Sequence, residues 1–177
     1  MKKAFLFLLA LMFLFSFAAC GDKKEETPSN PSADNQNTPM TPNNSNDKAP
    51  GTLGETMRAV FFENSDRSVQ EIADAAIKND AIKFMGSTAP VELGSLAGFK
   101  TDITGFDEAV MFAPNISSIP FIGYVFKVSE NADAFAENLK QNADPRWNIC
   151  TEAEETIVEA KDGKVFFLMC PKELSDE

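Results

Sequence analysis

An α+β domain is the fold class the sequence predicts, with a small antiparallel sheet of about four strands and helices packed on one face. Three observations predict it. Two capping boxes, Thr52-Leu53-Gly54-Glu55 and Ser68-Val69-Gln70-Glu71, each precede apolar residues at helical spacing. Two short apolar runs, one ending at Pro114-Asn115 and one starting at Phe121, read as a strand pair. Lastly, Asp162-Gly163 separates two further strand-like runs, as in a two-residue hairpin turn.

Taken in order, the first box opens a short helix through Met57, Val60 and Phe61. In each box the hydroxyl accepts from one free helix amide while the glutamate reaches back to another. After the second box, Val69, Ile72, Ala73, Ala76 and Ile77 recur on one face, which predicts an amphipathic helix over Ser68 to Phe84. Pro90, Gly94, Gly98 and Gly105 then break the chain into a loop region. Glu108 to Ala113 is the first strand. Phe121 to Val128 is the second, with Ile122, Tyr124, Phe126 and Val128 alternating onto one side. Asn131 caps a third helix whose stripe is Ala132, Phe135, Ala136 and Leu139, with Pro145 beyond its end. Thr156 to Ala160 and Lys164 to Cys170 form the final hairpin, with Lys161 facing Lys164 and Val158 facing Phe167.

This domain occupies residues 52–177, and what precedes it has a different composition. Lys2 and Lys3 stand before an apolar run from Ala4 to Phe17. At about 14 residues the run is shorter than the roughly 20 needed to cross a bilayer, so residues 1–19 read as a signal peptide. Phe17-Ala18-Ala19-Cys20 resembles the bacterial lipobox, in which the cysteine is diacylglyceryl-modified and cleavage falls just before it. An ordinary secretory signal, or an uncleaved anchor with an incidental cysteine, is the plainer alternative. Acylated Cys20 would tie the protein to the membrane through palmitate-type chains. Each buried CH₂ contributes about 0.8 kcal/mol, so two or three chains anchor stably where one binds only reversibly. Residues 20–51 form a linker of Asn, Pro, Ser and Thr, with Ala33, Met40 and Ala49 its apolar members. Such a composition cannot bury enough surface to offset ordering entropy, and predicts a disordered tether.

Charge and composition exclude several functions. The chain holds 27 acidic and 16 basic residues, a formal net charge of −11, which argues against nucleic acid as a partner. It contains no histidine, so a Ser-His-Asp triad, a Cys-His dyad, an HExxH zinc site and His-ligated haem are all ruled out.

Three blocks carry a family resemblance. They are Glu108-Ala109-Val110 with Asn115-Ile116-Ser117-Ser118-Ile119; the strand through Tyr124-Val125-Phe126-Lys127-Val128; and Asp144-Pro145-Arg146-Trp147-Asn148-Ile149-Cys150. Together with the signal peptide and tether they resemble a family of small lipoproteins of Gram-positive, often clostridial, bacteria with a C-terminal α+β domain. Where that family tends to read Arg-Lys-Trp-Ile-Cys, this chain places Trp147 one residue earlier relative to Cys150. The resemblance implies architecture and an extracytoplasmic location at the cell membrane, and no particular chemistry.

Several residues invite a functional reading. Cys150 and Cys170 could form a disulfide, which would stabilise by roughly 3 kcal/mol for a loop of about 20 residues. They could equally be two free thiols in apolar surroundings. Arg146 and Trp147 are residue types enriched at interface hot spots, although a lone tryptophan is more often a core anchor. The acidic group Glu152, Glu154, Glu155, Glu159 and Asp162 lacks the tight loop spacing of a calcium site and reads as a solvated strand edge. Ser117 and Ser118 have neither a GxSxG elbow nor SxxK around them. Gly94-Ser95-Leu96-Ala97-Gly98 does not match a phosphate loop. No catalytic residue, metal ligand set or cofactor is expected. The sequence thus points to a non-enzymatic, lipid-anchored surface module for an unknown protein or small-molecule partner. An accessory factor or carboxylate- or metal-dependent enzyme of the cell envelope is the alternative.

Overall fold

The computed structural model describes residues 51–116 and 118–174. The expected signal peptide, Cys20, the linker before Gly51 and Ser117 lie outside the described residues. The elements are helix α1 (Leu53–Asn64), helix α2 (Val69–Ile77), strands β1 (Gly86–Val91), β2 (Glu108–Pro114) and β3 (Ile122–Lys127), helix α3 (Ala132–Asn142), and strands β4 (Glu155–Lys161) and β5 (Lys164–Cys170). The strands form one five-stranded sheet in the order β1-β2-β3-β5-β4, with every neighbouring pair antiparallel.

The α+β class and the antiparallel sheet stand as predicted, with five strands instead of about four. The added strand is β1, which falls where proline and glycines suggested only loop. Gly86-Ser87-Thr88-Ala89-Pro90-Val91 has little apolar character because it lies at the edge and is only half buried. Pro90 pairs across from Val110, and an edge strand is where a residue without an N–H is tolerated. Thr88 holds β1 to α2: its hydroxyl donates to Asp74 Oδ1 and accepts from Gln70 Nε2, each at 2.9 Å.

The helices do not all lie on one face. Strands β3 and β5 are apolar on both sides, so both sides need cover. Phe166, Leu168, Cys170 and Val125 pack with Leu53, Met57, Phe61, Ile72 and Ala76 of α1 and α2. Val165, Phe167, Met169, Tyr124 and Phe126 pack instead with Phe135 and Leu139 of α3 and with Ile103 and Phe106. The segment from Glu92 to Asp107 completes that second layer. Within it the buried Tyr124 hydroxyl donates to Ala97 O at 2.8 Å, and burial raises the phenol above its ordinary value.

All three helix starts follow the sequence. Both capping boxes are closed, and Asn131 accepts from Ala134 N through its side chain. α2, however, ends at Ile77, well short of Phe84. Asn79 stops it: its side-chain oxygen accepts from Ala81 N at 2.9 Å, a local bond that competes with the helical ladder. The final hairpin has the predicted register, Lys161 opposite Lys164 and Val158 opposite Phe167. Asp162 (φ 52°) and Gly163 (φ 69°) both adopt the left-handed backbone that this turn requires.

Helix α1 is fastened at both ends to that hairpin and its flanks. At its start, Leu53 N donates to Lys172 O at 2.8 Å and Gly54 N to Glu155 Oε2 at 3.1 Å. At its end, Lys161 Nζ donates to Phe62 O and Lys164 Nζ to Ser65 O. Free helix amides and carbonyls are thereby satisfied, and the two lysines sit where the helix dipole favours positive charge.

One close approach in the sheet is especially constrained. The Phe112 ring lies over Gly123, its register partner, and a Cβ there would fall 2.0 Å from ring carbon Cζ. Gly123→Ala is therefore expected to destabilise the protein by about 1–3 kcal/mol. Denaturant unfolding of Gly123→Ala, Phe112→Leu and the double variant checks this. The double variant should lose less than the sum of the single losses, and strict additivity would contradict the contact.

Candidate functional site

A groove opens at the end of the sheet where β1 starts, β2 ends, β3 starts and β5 ends. Its volume is about 960 Å³, and its walls come from residues 83–85, 114–116, 118–120, 171, 173 and 174. Its base is continuous with the core beneath α1 and α2, because Phe84, Ile119 and Leu174 are partly buried against that cluster. Phe84 meets Phe121 edge-on with ring centroids 5.1 Å apart. Asn115 N donates to Met85 O at 2.9 Å and ties the exit of β2 to the entry of β1. Phe121 N donates to Ile119 O at 2.8 Å, which fixes the chain around Pro120.

Three prolines, Pro114, Pro120 and Pro171, stand in the wall. Each fixes its own φ and removes an N–H donor, so the wall is stiff and poor in donors. Its charged residues are Lys83 and Glu173, one of each sign, and Ser118 and Asn115 are its neutral polar members. Two apolar side chains stand out from it into solvent: Met85 is 82% exposed and Ile116 76%. The arrangement suits apolar contact. The chain has no imidazole to serve the Ser118 hydroxyl as a base.

The acidic residues singled out in the sequence are not gathered at one centre. Glu154 Oε2 accepts from Lys172 N at 2.9 Å and Glu155 from Gly54 N, while Glu159 pairs with Arg58. Asp162 Oδ2 accepts from the Ser65 hydroxyl at 2.7 Å. Glu152 meets Arg146 at 3.6 Å, with both side chains mostly exposed, an ion pair of little energetic weight. Glu152 apart, these acids fasten α1 and the segment after β5 to the last hairpin. Among the described residues no group of three or more His, Cys, Asp or Glu is placed to hold a metal.

Arg146 is exposed, whereas Trp147 is half-buried against the core on the α3 side. Gly94 to Gly98 belongs to the layer over α3's side of the sheet: Gly94 bridges Ile103, and Gly98 O accepts from Asp144 N at 2.9 Å.

Cys150 and Cys170, the pair that could form a disulfide, are placed as free thiols, one exposed and one buried. Cys170 is buried with α1 and α2, while Cys150 is exposed on a stretch whose inward residues, Trp147 and Ala153, pack on the α3 side. Burial, and secondarily the Glu155 and Glu154 carboxylates, pushes the Cys170 thiol from an ordinary 9.0 up to about 12. It stays protonated and inert.

Sequence reasoning missed the groove. Its residues do not share one periodic run: Lys83 and Phe84 fall at the end of the expected second helix, beyond the point where α2 stops, and Ile116 sits between two prolines. The available signal was the bracketing of Ile116 and Ile119 by Pro114 and Pro120, unusual for a solvent-facing connection.

Two measurements check the thiols. In a Cys20→Ala background without reductant, iodoacetamide should add one adduct to the native protein, on Cys150, and a second only after unfolding. Two adducts in the native state, or none before reduction, would contradict the assignment. The raised Cys170 value means that the folded state holds its proton more tightly than the unfolded state. Its stabilising contribution is complete below pH 9.0 and is lost as pH rises toward about 12. Cys170→Ala should flatten the stability–pH slope across that window by up to about 1.4 kcal/mol per pH unit, and an unchanged slope would contradict it.

Compared with known proteins, the chain matches no family model, no curated protein and no solved structure.

Proposed function

We propose that this chain is a lipid-anchored, extracytoplasmic binding module that works without catalysis, held to the membrane through Cys20 and engaging a partner through apolar surface. The observation that carries the binding role is the groove between residues 83–85, 114–116, 118–120, 171, 173 and 174. It is concave, walled by prolines and apolar side chains, and bordered by the exposed Met85 and Ile116. Pre-formed concave apolar surface with a few polar groups is the usual character of a binding site. The anchor is supported by the lipobox-like Phe17-Ala18-Ala19-Cys20 behind an apolar run of signal-peptide length. No described helix is long and apolar enough to cross a membrane.

The non-catalytic reading is supported by how the polar side chains are engaged. The carboxylates of the acidic group accept bonds from a helix amide, from the Lys172 amide after β5 and from a neighbouring hydroxyl instead. A catalytic pair needs groups free to meet a substrate, with protonation states tuned for transfer.

Two experiments test the proposal. Cys20→Ala should move the protein from the membrane fraction to the soluble fraction, and unchanged fractionation would contradict lipid attachment. Purified protein should show no turnover on cell-wall fragments and no stoichiometric metal by elemental analysis; either one, reproducibly found, would overturn the non-enzymatic reading.

A further inference from the structure

We propose that the groove end of the domain docks on the lipid bilayer, with Met85 and Ile116 entering the interface and the groove between them meeting acyl chains. The inference rests on the reading of Cys20 as the lipid anchor and deepens it by naming the occupant of the groove.

The geometry of chain entry carries it. The domain begins at Gly51–Leu53, and Leu53 N is bonded to Lys172 O at 2.8 Å. Lys172 lies between Pro171 and the Glu173–Leu174 pair, all three of which form a groove wall. The connection from Cys20 therefore reaches the domain beside the groove. The other end of the sheet carries the Asp162-Gly163 turn and the C-terminus of α1. A linker of that length has a root-mean-square reach of roughly 30 Å, comparable with the domain itself, so the adjoining groove end is the one that meets the membrane with the least extension of the linker.

The chemistry of that end fits a bilayer. Met85 and Ile116 are among the few large apolar side chains that the described residues expose, and both border the same groove. Lys83 and Glu173 balance each other in the wall, although residues 52–177 as a whole hold 22 acids against 11 bases. An acidic domain without a polybasic patch gains nothing from anionic headgroups, so the contact has to be apolar. Two inserted side chains give only about millimolar association by themselves. That strength is useful to a tethered domain, whose effective concentration at the surface is itself in the millimolar range. The docking therefore sets the orientation of a domain already anchored, turning α3 and the 92–107 segment away from or along the membrane in a fixed pose.

The test uses the full, lipidated chain in phosphatidylcholine vesicles, floated to confirm attachment. Tryptophan is placed by Met85→Trp, Ile116→Trp or, past the other end of β1, Leu93→Trp, each with Trp147→Phe. Where Trp147→Phe fails to fold, Trp147 is kept and the added emission is read. Brominated acyl chains should quench Met85→Trp and Ile116→Trp about twofold or more, leave Leu93→Trp near its unbrominated intensity, and act equally at low and high salt. Protein that floats without quenching at 85 and 116, or with equal quenching at 93, overturns the docking while leaving the anchor in place. Protein that does not float overturns the anchor and the docking together. A blue shift at 85 and 116 that grows with protein density and ignores bromine assigns the groove to a second copy and overturns the lipid assignment.

Discussion

Strand β5 carries apolar side chains on both of its faces, and everything else in the domain answers to that condition. From Val165 to Cys170 each residue is buried, odd positions toward α3 and even positions toward α1 and α2. Its neighbour β3 behaves the same way from Ile122 to Phe126. Antiparallel sheets often leave one face to water, and strands that do so alternate apolar with polar. Here the two middle strands do not alternate, so neither face can be left bare. Two helices cover one side; α3 and the 92–107 segment cover the other. Aromatic rings fill both layers, Phe61 stacked on Phe166 at 5.3 Å and Phe99 against Phe167 at 4.4 Å.

Covering a sheet on two sides with short helices leaves many helix ends close to strands, and the acidic and basic residues meet that demand. Glu155 accepts from the start of α1, Lys161 and Lys164 donate to its end, and Asp74 with Thr88 joins α2 to the edge strand. The Thr88 hydroxyl in turn holds the Asp74 carboxyl below its ordinary value. Charge that resembled a candidate site along the chain is therefore structural in space. The groove arises from the same layered build. Where four strands start or stop together, the core beneath α1 and α2 runs out to the surface, and proline-rich connections leave it partly uncovered.

Features fixed by local chemistry were legible in the sequence: both capping boxes, the Asn131 cap, the Asp162-Gly163 turn and its register. Each depends on residues within a few positions of one another. The differences arise mostly where distant contacts decide, the early stop of α2 at Asn79 being a local exception. β1 has the composition of a loop and becomes a strand because β2 offers it a partner and α2 a hydrogen-bonded hold. The length of α2 was overread because apolar spacing continues to Phe84 while Asn79 folds the backbone away. Phe166, Leu168 and Cys170 sat in plain view beside Val165, Phe167 and Met169. That unbroken run itself signalled a strand buried on both faces, against helices confined to one. The groove was hardest to see, since its three walls are far apart in the chain.

Two-sided burial of the central strands is the claim on which the account turns, and native-state hydrogen exchange measures it most directly. Amides of Val165 to Met169 in β5, and of Gly123 to Phe126 in β3, should exchange only through global unfolding, with protection equal to the full unfolding free energy. The edge strands β1 and β4 should open locally and exchange faster. If β5 exchanged as readily as β4, one face of the sheet would be open to water and the layered architecture described here would be wrong.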